Sequence, residues 1–335
     1  MSENKTNTLV EKGIEKTFSK KGSMGGVIGL IIVIVVAAIV TKFAFFLPRN
    51  LTNVFRQVTI MGFASLGMTI VILTGNIDLS IIGNVSMCTV ITAVLMMKEV
   101  PSALIVVIVI LSGAAVGIVN GLILSYWKIE SFVVTMGMQV VCFGLAMLIS
   151  DSRTVVVSGE ALASHPTLAN LAQWQLTVIP NVLIVPVMFL IMLFFALLLW
   201  SFTRYTRMGR YIFALGGNEE VCYISGVNVT AVRVVSYVLS GIMASIAGIF
   251  MFSRSVCGDP TAGNALGMYV VAGVVVGGTK MSGGRGSVLF TIIGIFVIGI
   301  INNVLNLINA PYQYQQIVQG IIIIISVVLS SQRRR

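Results

Sequence analysis

Long runs of apolar residues, separated by short polar stretches, recur along the whole chain. A helix needs about 20 apolar residues to cross the hydrocarbon core of a bilayer, and these runs approach that length. Unpaired backbone is too costly in lipid and no strand-like alternation is visible, so the pattern predicts helices. We expect ten spans, at 25–46, 58–73, 81–97, 102–124, 132–150, 182–200, 232–252, 266–278, 288–305 and 314–329.

Composition places the chain among membrane proteins. Of its 335 residues, 57% are hydrophobic and 10% are charged, whereas charged residues make up about a quarter of a soluble domain. The sequence therefore predicts an all-α integral membrane protein. Its cysteines stand at scattered depths without C-x-x-C spacing, which indicates packing residues and neither a disulfide framework nor a metal site. They are Cys88, Cys142, Cys222 and Cys257.

Basic residues are divided unevenly between the two sides of the predicted bundle. With both termini inside, 15 of the 21 lysines and arginines face the cytoplasm and six face outward, as the positive-inside rule requires. The fifteen are Lys5, Lys12, Lys16, Lys20, Lys21, Lys128, Arg204, Arg207, Arg210, Arg233, Lys280, Arg285, Arg333, Arg334 and Arg335. This asymmetry accounts for the net charge of +10 without nucleic acid.

The same orientation divides the chain into segments. We expect a cytoplasmic tail over 1–24, a transmembrane domain over 25–330 with a cytoplasmic loop at 201–231, and a basic cytoplasmic tail over 331–335. A polar segment at 151–181 forms the longest external loop.

Two pairs of short motifs repeat at an offset of about 182 residues. "GIVNG" at 117–121 is echoed by "GIINN" at 299–303, and "TGNID" at 74–78 is echoed by "CGDPT" at 257–261. With five spans in each copy, the two copies enter the membrane in opposite senses. The sequence therefore predicts an inverted five-plus-five repeat, a plan of many transporters in which the route lies between the halves.

Polar residues at membrane depth are expensive and therefore require an explanation. The segment "LTGNIDLSIIGNVS" at 73–86 places Asn76, Asp78, Ser80 and Asn84 between two apolar spans. One interpretation is a broken helix that lines a solvated path. The other is a plain turn at the membrane surface, with Asp78 capping the helix that begins near Leu79.

Further polar residues lie within other predicted spans. They either line a neutral polar path or form hydrogen bonds between helices. They are Asn120, Thr135, Gln139, Asn302, Asn303, Gln315, Gln316 and Gln319.

Energy coupling is expected to come from outside the chain. There is no G-x-x-x-x-G-K-[ST] phosphate loop and no Gly-Lys pair, so this chain does not bind ATP in the P-loop manner. Asp78 is the one acidic residue placed clearly at depth between predicted spans. Ion-driven carriers normally carry buried carboxylates as coupling sites.

The polar stretch "GGNEEVCYISG" at 216–226 predicts a short helix on the cytoplasmic face. Asn218 is a good N-cap, Glu219 and Glu220 suit the first turn, and Gly226 is a natural terminator. A helix this short is unstable alone. It is therefore a candidate for docking into a groove of a partner.

Four longer segments complete a resemblance to a known family. "RMGRYIFALGGNEEVCYISGVNV", "VLSGIMASIAGIFMFSRS", "VVVGGTKMSGGRGSVLFTIIG" and "INNVLNLI", together with "GMTIVILTGNIDLS", are similar to the permease subunit of ribose-type sugar ABC importers. The resemblance covers most of the chain after residue 50. It implies a bacterial inner-membrane permease that works as a dimer with a second copy or a paralogue.

The resemblance also implies partners and residue roles. An extracytoplasmic binding protein delivers the solute, and an ATPase subunit or tandem ATPase binds ATP and Mg, while this chain binds no cofactor itself. The loop that contacts the ATPase corresponds to 209–226. The implied coupling residues are Arg210, Gly216, Gly217, Asn218, Glu219, Glu220 and Gly226.

Two departures from the family pattern concern the lining of the path. After "GDPTAG" this chain has "NALGMYVV" where the family has an acidic run, and "DLSIIGN" replaces "DLSVGS". The predicted path residues are Asn76, Asp78, Ser80, Asn84, Asn120, Gln139, Thr261, Asn264 and Asn302.

Three functions remain open at this point. The favoured one is an ABC importer permease for a small, neutral, hydroxylated solute such as a monosaccharide. The second is an ABC permease for a nucleoside or another non-sugar solute. The third is a self-contained secondary carrier or channel, which the scarcity of coupling carboxylates disfavours.

Overall fold

The computed structural model describes residues 26–180, 183–311, 313–318, 320–321 and 324. Half of the expected last span, 314–329, and both predicted tails lie outside the described residues. The helices are α1 (Gly26–Val40), α2 (Pro48–Leu73), α3 (Ser80–Met97), α4 (Ser102–Trp127), α5 (Ser131–Ile149), α6 (Glu160–Ser164), α7 (Pro166–Asn170), α8 (Val187–Tyr205), α9 (Arg207–Gly217), α10 (Glu219–Ile224), α11 (Val229–Ser255), α12 (Gly267–Val276) and α13 (Val288–Leu307). Residues 313–318 are also helical.

Seven of the described helices are long and apolar enough to cross a membrane: α2, α3, α4, α5, α8, α11 and α13. Two shorter apolar helices, α1 and the stretch Ala262–Val276, accompany them. The protein is therefore a mostly helical, multi-pass membrane protein, as the apolar runs predicted.

Helices α2 and α11 form the centre of the bundle. Most of α2 is buried, whereas most residues of α4 and α5 are not buried within the protein. Three glycines at four-residue spacing, Gly113, Gly117 and Gly121, let α4 lie directly against α11. A Cβ atom at Gly117 would be 2.2 Å from the carbonyl oxygen of Tyr237. This is the small-residue packing that membrane helices use in place of hydrophobic burial.

The connections gather at two ends of the bundle. At one end, which we call the glycine end, the turn 74–79 meets residues 216–217 and 282–284. At the other, the ribbon end, β1 (Val155–Val156) pairs with β4 (Cys257–Gly258), and β2 (Gln175–Ile179) pairs with β3 (Leu183–Pro186). Both pairs are antiparallel. The sequence pattern did not predict these ribbons, because each strand has only two to five residues.

Three predicted spans had the wrong extent, and the first of them, expected at 25–46, ends as helix α1 at Val40. Helix α2 begins at Pro48, ten residues before the expected start at 58. The polar side chains of that first section are accommodated, because Asn50 exchanges two amide hydrogen bonds with Asn303, of 2.8 and 3.0 Å. The expected span 182–200 begins instead with strand β3 and continues as α8 to Tyr205.

The expected span 266–278 forms a helix with nearly the expected bounds, but this helix is too short to cross the membrane. Helix α12 has 10 residues, which at about 1.5 Å per residue reaches only about half the hydrocarbon thickness. The residues before it run along α3 as irregular chain from β4 and then as one short 3-10 helix, Ala262–Ala265. This crossing is therefore discontinuous.

The glycine end and the ribbon end lie at opposite ends of the bundle, and this arrangement can be tested by chemical labelling. Ser158 is exposed at the ribbon end and Ser225 is exposed beside α10 at the glycine end. With the four native cysteines replaced, Ser158→Cys and Ser225→Cys are expected to react with a membrane-impermeant thiol reagent from opposite sides of intact cells. Reaction of both from the same side would contradict the arrangement of the spans.

Candidate functional site

A buried carboxylate lies where α2 turns into α3. The Asp78 side chain is 1% exposed. Its Oδ1 atom accepts hydrogen bonds from the backbone N–H (3.0 Å) and the hydroxyl of Ser80. Its Oδ2 atom accepts a 2.7 Å bond from the hydroxyl of Ser240 on α11. Asp78 therefore holds the start of α3, as one interpretation expected, but it lies inside the bundle and not at its surface.

Two neighbouring helices, α5 and α11, hold the turn that carries Asp78. The backbone N–H of Ile77 donates to Ser131 on α5, at 3.1 Å. The carbonyl oxygen of Ile77 accepts from Tyr237 on α11 at 3.2 Å and from Thr135 on α5 at 3.3 Å. Asn76 is only half-buried and bonds within the turn, to Thr74. The turn is therefore fixed by its neighbours rather than by its own sequence.

Two further predicted path residues join this cluster. The amide of Asn120 on α4 donates a 2.8 Å hydrogen bond to Ser80, while its Oδ1 atom is buried without a partner among the described residues. Asn84 donates to the carbonyl oxygen of Gly241, at 3.3 Å. We call Asp78, Ser80, Asn84, Asn120 and Ser240 the Asp78 cluster. Four of its five members were predicted.

Ser240 was missed. It lies on α11 four residues after Ser236 and four before Ala244, and such a row of small residues in a span indicates a face packed against another helix. That row predicts close packing, but nothing in the sequence pairs it with Asp78, 162 positions away.

Thr261 and Asn264 lie on the discontinuous crossing. Asp259 accepts a 3.1 Å bond at its carbonyl oxygen from Thr89 of α3, and the N–H of Gly263 donates a 2.7 Å bond to Ser86. The chain from β4 to Gly263 thus follows α3 inward, with its backbone bonded to side chains. Thr261 and Asn264 remain exposed on this segment, at a depth where irregular backbone normally lines a cavity.

The two remaining predicted path residues lie elsewhere. Asn302 on α13 is 7% exposed and accepts a 3.1 Å hydrogen bond from the hydroxyl of Tyr269 on α12. Gln139 is half-buried on α5. The nine predicted path residues therefore do not form one cluster but lie in several parts of the bundle.

The predicted coupling segment forms two helices. Thr206 caps α9, and Asn218 caps α10 by accepting a 3.0 Å bond from the N–H of Val221. Gly226 has a φ of +75°, so it ends the segment in the left-handed conformation that glycine favours. The cap, the helix and the terminator are all confirmed.

Helix α10 is attached to α11 by one ion pair. Glu219 binds Arg233, whose side chain is 11% exposed. Cys222 is the buried residue of α10. Burial raises the pKa of its thiol, and the negative charge of Glu219 raises it further, so the thiol stays protonated at neutral pH. Arg210, Gly217, Asn218, Glu219, Glu220 and Gly226 are exposed, and Gly216 is half-buried.

Backbone-to-backbone contacts join α9 to the rest of the bundle. A Cβ atom at Gly216 would be 2.0 Å from the carbonyl oxygen of Leu73 and 2.4 Å from the nitrogen of Gly284. A Cβ atom at Gly283, where φ is +79°, would be 2.6 Å from the nitrogen of Gly75. The N–H of Gly284 donates a 3.0 Å bond to Leu73. We call these contacts the glycine junction.

The glycine junction connects three separate loops. They are the end of α9, the turn between α2 and α3, and the loop between α12 and α13. Sequence reasoning identified Gly216 but not its partners. The pair Gly283 and Gly284 in "SGGRG" was the available signal, because paired glycines mark turns that need positive φ.

The helical bundle, its discontinuous crossing and its polar residues at depth define a class, the polytopic membrane transport proteins. The family model described as "branched-chain amino acid transport system / permease component" matches residues 50–327. The chain belongs to this family of permeases.

Curated relatives are similar over most of their length. The ribose import permease protein RbsC of Escherichia coli (strain K12) is 34% identical over 290 residues, which cover 87% of this chain and 88% of that protein. RbsC of Bacillus subtilis (strain 168) is 34% identical over 290 residues, covering 87% of each. The D-allose transport system permease protein AlsC of Escherichia coli (strain K12) is 31% identical over 286 residues, covering 85% and 84%. No solved structure matches the chain.

The Asp78 cluster leads to a stability prediction. Asp78→Ala leaves the buried donors of Ser80 and Ser240 without their acceptor, which costs about 1–3 kcal/mol for each group. We expect a clearly lower unfolding temperature in detergent. Asp259→Ala is the matched control, because within the described chain the side chain of Asp259 bonds only in its own turn, to Thr261. Equal effects of the two substitutions would contradict the role given to Asp78.

The geometry of the glycine junction predicts different effects for substitutions at two neighbouring residues, Gly216 and Gly217. Gly216→Ala places a methyl group against backbone atoms that cannot move aside alone, so we expect lower stability and loss of transport. At Gly217 an added methyl group would have no described atom within 4 Å, so Gly217→Ala is expected to match the natural protein. Thermal unfolding and uptake of both variants check this, and loss of transport in both would disprove the distinction.

Proposed function

We propose that this permease is the membrane subunit of an ATP-driven importer that moves a small, hydroxyl-rich solute of monosaccharide size inward by alternating access. The relatives named as ribose and D-allose permeases support a sugar as the solute. The observation that carries the coupling to ATP is the exposed surface of α10.

Helix α10 presents apolar side chains outside the lipid-facing spans. Val221, Tyr223 and Ile224 are 56%, 77% and 78% exposed. A helix of six residues does not persist alone, and such a cluster of exposed apolar residues favours a protein partner. We take this partner to be the ATPase subunit or tandem ATPase, which binds ATP and Mg, while this chain binds neither.

The coupling residues then transmit movement of the ATPase from α10 into the membrane-spanning bundle. Asn218, Glu219 and Gly226 hold α10 in place, and Arg210 and Glu220 lie exposed beside it. Gly217 joins α9 to α10 at a point where a methyl group has room. When the ATPase moves α10, the adjoining helix α9 moves with it. Gly216, near the end of α9, then transmits this movement to the glycine junction. From there it reaches the turn before Asp78 and the loop between α12 and α13, so both halves of the bundle move together.

The path for the solute is proposed to run past the polar residues of the two chain breaks. Asn76 and the Asp78 cluster lie at the first break, and Thr261 and Asn264 lie at the second. Asn302 and Gln139 would contribute from α13 and α5. Apart from Asp78 these side chains are uncharged, which suits the hydroxyl groups of a neutral solute.

The spans are proposed to form an inverted repeat of five and five, ten in all. Helix positions support this, because α2, shifted by about 182 residues, falls on 230–255, within one residue of α11. The same shift carries α4 onto 284–309, which contains α13. The two members of each pair would cross in opposite directions.

Orientation and partners follow from the proposed coupling. The glycine end faces the cytoplasm, both termini are cytoplasmic, and the membrane is the bacterial inner membrane. The domain limits stay at 1–24, 25–330 and 331–335, with the coupling loop at 201–231. The ribbon end faces an extracytoplasmic binding protein, and a second copy or a paralogue completes a dimer.

The test of this function is uptake into proteoliposomes that contain the permease, its ATPase and its binding protein. We expect D-ribose or D-allose to enter only with ATP. Tyr223→Ala combined with Ile224→Ser is expected to abolish uptake and co-purification of the ATPase, because the partner loses its apolar contact.

The matched control is an equally exposed apolar pair at the ribbon end. Leu176 and Val178 are 54% and 51% exposed, so Leu176→Ala with Val178→Ser should leave the ATPase bound. Uptake without ATP would favour a secondary carrier, and normal coupling in the α10 variant would remove the support for this function.

A further inference from the structure

A polar cleft opens at the ribbon end, beside the first turns of α2. Its volume is about 460 Å³, and it lies between α2 and the β2–β3 ribbon. The cleft is lined by Pro48, Arg49, Thr52, Asn53, Arg56, Gln175 and Ile184. Two of these residues are arginines and none is acidic, so the lining carries positive charge.

The positive charge of the cleft is not compensated within the described part of the chain. There the one ion pair joins Arg233 to Glu219, at the opposite end. The Nε atom of Arg56 is buried and has no hydrogen-bond partner among the described residues. Such an unpaired buried donor is costly. One of the two arginines that line the cleft therefore carries a donor that no group of the described chain satisfies.

A third arginine adds to the positive potential. Arg254, at the end of α11, does not line the cleft, but the charge of Arg56 acts on it. Like charges that approach each other in a membrane protein are destabilising, and a bound anion would relieve the repulsion between them.

We propose that the cleft formed by Arg49 and Arg56 between α2 and the β2–β3 ribbon is a binding site for an oxyanion, a phosphate or carboxylate group. The guanidinium fork matches such groups with two parallel N–H···O bonds. The amides of Asn53 and Gln175 supply neutral donors at the rim. The N-terminus of α2 also favours negative charge at this position.

The size of the cleft indicates more than a bare ion. Pockets of this volume hold molecules of sugar to drug size. Pro48 and Ile184 supply apolar contact beside the charged groups. The oxyanion can therefore belong to a small hydroxylated molecule or to a phospholipid headgroup, since the cleft lies at the end of a membrane span. The binding chemistry is the same in both cases.

The test measures unfolding of the full chain in nanodiscs. In nanodiscs of zwitterionic phosphatidylcholine, sodium phosphate is expected to raise the unfolding temperature saturably, relative to sodium chloride of equal ionic strength. Replacing part of the lipid by phosphatidylglycerol is the second arm. Stabilisation by free phosphate identifies a small-molecule site, and stabilisation by the anionic lipid alone identifies a headgroup site. Either result supports the oxyanion chemistry.

Substitutions then localise the effect. Arg56→Gln and Arg49→Gln are expected to raise the midpoint concentration of the stabilising anion at least tenfold. Arg153→Gln is the matched control, because Arg153 is an exposed arginine at the same end but outside the cleft. It also corrects for the general stabilising effect of phosphate on proteins. Unfolding without anion verifies that each variant folds.

Two results would overturn the proposal. One is that neither phosphate nor phosphatidylglycerol stabilises the chain beyond the chloride control. The other is that Arg56→Gln and Arg153→Gln respond alike, because the stabilisation would then be independent of the cleft. Both are separate from the proposed transport function, since the measurement needs no ATPase, binding protein or uptake.

Discussion

The hydrogen bonds around Asp78 hold together helices that have no hydrophobic reason to associate in lipid. Asp78 binds Ser240 of α11 and the start of α3, and Ser80 in turn accepts from Asn120 of α4. The adjoining residue, Ile77, is bonded to α5 and α11. One short turn thereby connects α3, α4, α5 and α11. A buried carboxylate is tolerated here because several donors satisfy it.

Close approach of helix backbones at glycine residues is the second constraint, and the hydrogen bonds around Asp78 depend on it. Gly117 and Gly121 bring α4 against α11, which places Asn120 within reach of Ser80. Gly216 brings α9 against the end of α2 in the same manner. Larger residues at these positions would separate the helices and stretch the polar bonds between them. Glycine packing and the Asp78 cluster are therefore parts of one arrangement.

Local features of this fold were predictable and long-range ones were not. The cap at Asn218 and the terminator at Gly226 depend on residues a few positions apart, so the sequence alone predicted them. The predicted start of α2, at 58, leaves out polar residues such as Asn50, because a polar stretch between two apolar runs predicts a loop. The partners of such residues, here Asn303, lie far along the chain. The glycine junction was missed for the same reason, since Gly75 and Gly283 meet only in the folded protein.

The discontinuous crossing before α12 combines these constraints. Irregular backbone inside a membrane needs partners for its N–H and C=O groups. Ser86 and Thr89 of α3 provide them for Gly263 and Asp259. Since α3 supplies these bonds from one side, the other side of the segment is left free, and Thr261 and Asn264 are exposed there. Helix α3 begins at the Asp78 cluster, so a movement of that cluster would carry both breaks together.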